Sequence, residues 1–222
     1  MMAEPLDASQ DIDKIARNIL AGAKAFGKFP TPIDQIIAYT ELSLENGIDL
    51  GRDLGFLATA KGFFGRCSRK VLGMIDIREK IIYLDQSQPV RRKNFIKLHE
   101  VGHGVLPWQN GLIGCRDDEF TIIPEVEALY EREASHFASS SLFQLDRFEE
   151  ESAKLPLSIA SAMVLAQKFG GSVQATLRRY VEHSPKRCAL LVFHKPESNG
   201  PYRAKVRNYF ESHPFSQASD LS

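Results

Sequence analysis

His99-Glu100-Val101-Gly102-His103 spells H-E-x-x-H. On a helix, positions i and i+4 share one face, so both imidazoles can aim at one point. A zinc ion accepts two neutral imidazole nitrogens presented in that way. Glu100 follows the first histidine, where its carboxylate can hold a water and take its proton. Two histidines one turn apart can equally be hydrogen-bonded core groups. The pentad alone also lacks a third protein ligand, so the surrounding chain has to decide.

Around the pentad, Phe95, Leu98, His99, Gly102 and His103 recur at helical spacing. The histidine face is therefore the apolar face, which turns both rings toward the interior. Ser87-Gln88-Pro89 can start this helix and Pro107 ends it. Upstream, Val71–Ile77 and Ile81–Leu84 are β-type runs, with Arg78-Glu79-Lys80 as the turn of a small, mostly antiparallel sheet. Residues 108–123 read as a loop with short strand pieces. Pro124 then opens a helix over 124–142 that offers Glu125, Glu127, Glu131 and Glu133 as the missing ligand.

At about 100° per residue, Glu127 and Glu131 share a face, whereas Glu133 points away from Glu131. Ala134 and Ala138 continue the Glu131 face, and small residues there let two helices come close. Glu131 is the expected ligand and Glu133 the runner-up. All four carboxylates could instead be solvated charges. Asp117, Asp118 and Glu119 are loop candidates, and no histidine follows the pentad closely enough to supply a third imidazole.

The outer segments complete an expected α+β class: a small antiparallel sheet on an H-E-x-x-H helix and further helices, then a helical hairpin and short strands. Ile12, Ile15, Ala16, Ile19 and Leu20 mark a helix reaching about residue 26. Thr31 can cap a second helix with Pro32 at its first position, running to Asn46-Gly47. Glu149-Glu150-Glu151 reads as a surface boundary. Pro156 to Phe169 and Val173 to His183 are helices around Gly170-Gly171-Ser172. Cys188–Phe193 and Tyr202–Tyr209 are strands, and the last dozen residues read as a frayed tail. The expected domains are a helical extension (1–29), a zinc metallopeptidase domain (30–150), a helical hairpin plus strand pair packed on it (151–210), and the tail (211–222).

The chain has 222 residues, 43% of them hydrophobic, and a formal net charge of zero. That gives no global argument for nucleic-acid or membrane binding. The three cysteines, Cys67, Cys115 and Cys188, form no C-x-x-C pair and read as reduced thiols. The acidic start has no apolar run after it, so a signal peptide is not expected. A cytoplasmic setting follows.

Phe95-x-x-x-His99-Glu100-x-Gly102-His103, followed by Glu131-x-x-Ala134-x-x-Phe137-Ala138, resembles the ImmA/IrrE metallo-endopeptidase family. The hairpin and the Arg91-Arg92-Lys93 start of the helix fit the same layout, and the match spans about residues 30–145. The resemblance implies a gluzincin-like zinc fold with His99, His103 and Glu131 as ligands and Glu100 as general base. It implies zinc, with manganese as a substitute, and cleavage of a cytoplasmic helix-turn-helix repressor. Ser135 stands where the family often has Asn. Ser141-Leu142-Phe143-Gln144 replaces its Leu-Leu-Met-Pro-like run. These departures are expected on the substrate side or in packing.

His136, Tyr130 and His183 are candidate donors to a tetrahedral oxyanion. His136 lies roughly 140° around the helix from Glu131 and is not expected on the same metal. A competing reading makes residues 157–183 a DNA-binding helix-turn-helix, with Arg178 and Arg179 on phosphates, in a regulator whose zinc site is structural or vestigial. Gly171 and Thr176 fall where that motif wants apolar packing, which favours a plain helical hairpin. A non-proteolytic zinc hydrolase is a third possibility.

Overall fold

The computed structural model describes residues 8–45, 72–109, 124–195 and 204–219. These divide into two compact units. The first comprises the described residues up to Arg147 plus Phe169–Gly171; the second comprises Phe148–Lys168 and the described residues from Ser172 onward. Both mix helices with short strands, so the chain is α+β as expected.

In the first unit, α1 (Ser9–Gly22) buries Ile12, Ala16, Ile19 and Leu20, one stripe at helical spacing. α2 (Ile33–Tyr39) buries Ile33, Ile36 and Ile37. Thr31 does not cap it. Its hydroxyl donates instead to the Leu142 carbonyl at 2.7 Å, and Pro32 takes the cap position. Nor does α2 reach Asn46-Gly47, which lie outside the described residues. The chain leaves the helix through Glu41 in the left-handed region (φ 59°) and forms β1 (Ser43–Glu45).

β2 (Gly73–Asp76) and β3 (Ile81–Leu84) make the expected antiparallel hairpin, with Met74 opposite Tyr83 and Ile75 opposite Ile82. Its turn uses Asp76, whose Oδ1 accepts from the Arg78 and Glu79 amides at 3.0 Å, and Lys80 at φ 57°. The side chain supplies the turn geometry that Gly or Asn usually provides. β1 adds in parallel to β3, giving a mixed sheet in the order β1-β3-β2. A sheet edge offers unpaired backbone groups, and three residues of β1 take them in preference to another helical turn. The glycine-punctuated stretch from Asp53 to Val71, including Cys67, lies outside the described residues.

α3 (Val90–Val105) carries the pentad and starts after Pro89. Asp85 builds the turn before it, accepting from the Ser87 amide and from Gln88 Nε2. α4 (Pro124–Leu142) has the expected bounds and packs against α3. Phe137, Ala134, Ala138 and Leu142 are fully buried along it. His136 and Ser140, on another side of α4, both meet Asp13 of α1, at 3.0 and 2.6 Å. The loop expected between α3 and α4, with Asp117, Asp118, Glu119 and Cys115, lies outside the described residues from position 110 to 123.

The second unit takes most of α5 (Asp146–Ala153), then α6 (Ile159–Phe169) up to Lys168, and α7 (Val173–Glu182). The acidic run is no mere boundary. Glu149 pairs with Arg179 and His183, and Glu151 with Lys154 and Lys168. Ser172 caps α7, its hydroxyl accepting from the Ala175 amide at 3.2 Å. β4 (Ala189–Phe193) pairs antiparallel with β5 (Val206–Glu211), Leu191 opposite Tyr209. The tail is not wholly frayed: α8 spans His213–Ser219. Ser212 anchors its start, fully buried and doubly hydrogen-bonded to Cys188.

Candidate metal centre

The site begins with helix contact. Gly102 on α3 faces Ala134 on α4 so closely that a Cβ at position 102 would lie 3.1 Å from the Ala134 Cα and 3.2 Å from Phe137 Cδ1. Gly102 itself puts no side chain between the backbones there. This closeness lets a glutamate one turn from Ala134 reach histidines on the neighbouring helix.

Glu131 makes that reach. Its Oε2 lies 3.3 Å from His99 Nε2 and its Oε1 lies 3.4 Å from His103 Nε2. The two Nε2 atoms are 3.2 Å apart. One ligand atom from each of the three residues falls within 4.8 Å of the others, a separation that suits a shared metal ion. Two imidazole nitrogens and a carboxylate are the donor set of a zinc site that keeps a position open for water. The residues fit the ion they would hold. Glu125 and Glu127 are not part of the group.

Electrostatics follow from this crowding. Burial pushes the Glu100 carboxyl above its ordinary value, against the pull of His103 and His99. Glu131 shows the opposite outcome: burial alone would raise it, but hydrogen bonds from His103 and His99 prevail and hold it well below the usual carboxylate range. Burial disfavours charge on His103, yet its contacts with Glu131 and Glu100 outweigh that and raise it. Strand β2 closes in on Glu100. A Cβ at Gly73 would lie 2.7 Å from Glu100 Oε1 and 2.5 Å from Ile96 Cγ2.

Around the trio stand residues that spacing rules do not find. Gln109 is fully buried, with Oε1 2.8 Å from His103 Nδ1. Glu133, the runner-up ligand, belongs to this surrounding layer. Its Oε2 accepts from Trp108 Nε1 at 2.7 Å and from Gln109 Nε2 at 2.8 Å. Ser135, which stands where the family often has Asn, places its hydroxyl 3.3 Å from His99 Nδ1. The oxyanion candidates are engaged elsewhere. His136 meets Asp13, Tyr130 donates to the Trp108 carbonyl at 3.3 Å, and His183 pairs with Glu149.

The arginines of the competing reading are also engaged. Arg178 pairs with Glu182 and lies over the Phe210 ring; Arg179 is buried against Glu149 and Phe148. Thr176 is fully buried, its hydroxyl donating to the Ser172 carbonyl.

A mixed sheet, an H-E-x-x-H helix and a glutamate from the next helix together define a metallopeptidase type of architecture. Residues 67–180, half of the chain, match the family profile of Peptidase_M78, the IrrE N-terminal-like domain, and the chain belongs to that family. The solved structure of a Mycobacterium tuberculosis transcriptional regulator has the same fold, with a TM-score of 0.54 at 12% identity. The match covers 92% of this chain and 57% of that one, so this chain spans little more than half that protein's length. No curated protein matches the chain. Among the described residues, no helix is long and apolar enough to cross a membrane.

Proposed function

We propose that the protein is a zinc-dependent metallo-endopeptidase that cleaves a helix-turn-helix transcriptional repressor in the cytoplasm, releasing the genes that repressor holds silent. The observation that carries this reading is the convergence of His99, His103 and Glu131 donor atoms within 4.8 Å, with Glu100 buried beside them. His99, His103 and Glu131 would hold the ion. Zinc, when bound, lowers the pKa of a water and polarises a carbonyl.

The rest is work for this chain's own residues. Glu100 takes the proton from the attacking water as its oxygen bonds to the scissile carbon. The same carboxyl then gives that proton to the amine as the C–N bond breaks. A carboxyl raised by burial suits both halves of that task near neutral pH. Glu131, held low, stays an anionic donor throughout. Membership of the family supports the peptidase chemistry. The printed name of the similar structure, a transcriptional regulator, agrees with a target in transcription. With Arg179 buried in an ion pair, the DNA-binding alternative is the weaker reading.

The test incubates the zinc- or manganese-loaded protein with a small helix-turn-helix repressor encoded by a neighbouring gene. Mass spectrometry should find two fragments from wild type and none from Glu100→Gln, which keeps its metal. Undiminished cleavage by Glu100→Gln would remove the general base. An intact repressor with fully loaded wild type would remove the target.

A further inference from the structure

Each histidine of the trio directs Nε2 inward, so the fate of each Nδ1 decides how firmly the ring is set. For His99 the partner is the Ser135 hydroxyl, which can either give or accept a hydrogen. For His103 the partner is an amide oxygen, and its orientation follows from the neighbours.

Gln109 Nε2 lies 2.8 Å from Glu133 Oε2 and 3.3 Å from the Tyr130 carbonyl oxygen. An amide nitrogen has two hydrogens to give, and here it meets two acceptors. Flipping the amide would set its oxygen against both of them. Oε1 therefore faces His103, and because that oxygen only accepts, Nδ1 must carry the hydrogen. In the neutral ring Nε2 then keeps its lone pair, and Nε2 is the atom beside Glu131 and His99. Glu133 is itself fixed by Trp108 Nε1. His103, Gln109 and Glu133 are all buried, so water does not compete for these bonds.

We propose that Glu133 and Gln109 form a relay that presets His103 as a metal ligand: Glu133 holds the Gln109 amide, and Gln109 holds the imidazole as its Nδ1–H tautomer. Both are positioning residues, acting through His103. The inference rests on the metal-site reading above. Outer partners of ligating histidines are typically worth about 10–100-fold in metal affinity.

The test measures zinc affinity by competition with a chromogenic chelator, and the His103 tautomer by nitrogen NMR of the metal-free protein, titrated to the pH at which the ring's own nitrogen shifts report it neutral. Gln109→Ala should weaken zinc binding about 10–100-fold and leave His103 as a mixture of tautomers. Glu133→Ala should weaken it in the same direction. Glu133→Gln should restore most of the affinity, because its amide oxygen still accepts from Gln109 and Trp108.

A folded Gln109→Ala protein with zinc affinity within about twofold of wild type would overturn the relay. So would an Nε2–H tautomer in wild type, a result that stands even if the variants do not fold. Failure of the metal-site reading looks different: wild type would bind no zinc, or His99→Ala would bind it as tightly, whatever tautomer His103 shows.

Discussion

Glu131 and Glu133 stand two positions apart on α4, so their side chains leave the helix about 200° apart. One meets two histidines and the other meets an indole and an amide. Losing a direct ligand removes a coordinate bond, whereas losing an outer partner leaves the bond in place but less well oriented. Glu131→Ala should therefore lower zinc affinity by more than the roughly 10–100-fold expected of outer partners. It should also fall below Glu133→Ala in the same chelator competition; the reverse order would reassign the ligand. Helical periodicity was enough to separate these two carboxylates. It could not reveal Gln109, which lies beyond the end of α3 and meets His103 only because the chain bends back there. Ser135 escaped for a similar reason: its role depends on which neighbouring helix its face meets.

At the scale of elements, α3 and α4 were legible almost to the residue, since each is long and opens at a proline. β1 was not. Three residues carry no periodic signal, and their pairing is set by the hairpin edge they meet. The contact between α3 and α4 turns on Gly102. The atoms that a larger residue would meet include the Ala134 backbone, which cannot rotate away. Gly102→Val should cost about 1–3 kcal/mol, the usual range for overpacking. It should weaken zinc binding as well, by moving Glu131 away from the histidines. Denaturant unfolding and metal titration of the same protein would check both. A variant of wild-type stability and affinity would mean that the helices have slack at this crossing.

For the whole molecule, the α+β class and the order of most elements could be read from periodicity and breakers, but not β1, α5 or α8. The second unit was harder to read, because its acidic run and its arginines look like solvated charge. In fact Glu149 accepts from Arg179 Nη2 at 3.2 Å and lies 2.8 Å from His183 Nδ1. Burial acts to raise its carboxyl, but His183 and Arg179 prevail and lower it from 4.5. A lowered carboxyl contributes stability above its unfolded value, and that contribution drains away as pH falls through the folded value. Thermal melts of the full chain should thus find Glu149→Gln less stable than wild type at neutral pH. The gap should narrow below pH 4.5. A gap that stays constant with pH would mean that the ion pairs contribute nothing.

Gly73 has a consequence for anyone who redesigns this scaffold. The carboxylate of Glu100 and a side chain at position 73 would claim the same space. Among the described residues β2 is also an edge strand, where a designer would first add residues to improve a sheet. Position 73 is therefore closed to the usual β-branched choices. On the proposed mechanism, a library that varies it to stabilise the sheet would displace the general base while leaving His99, His103 and Glu131 in place.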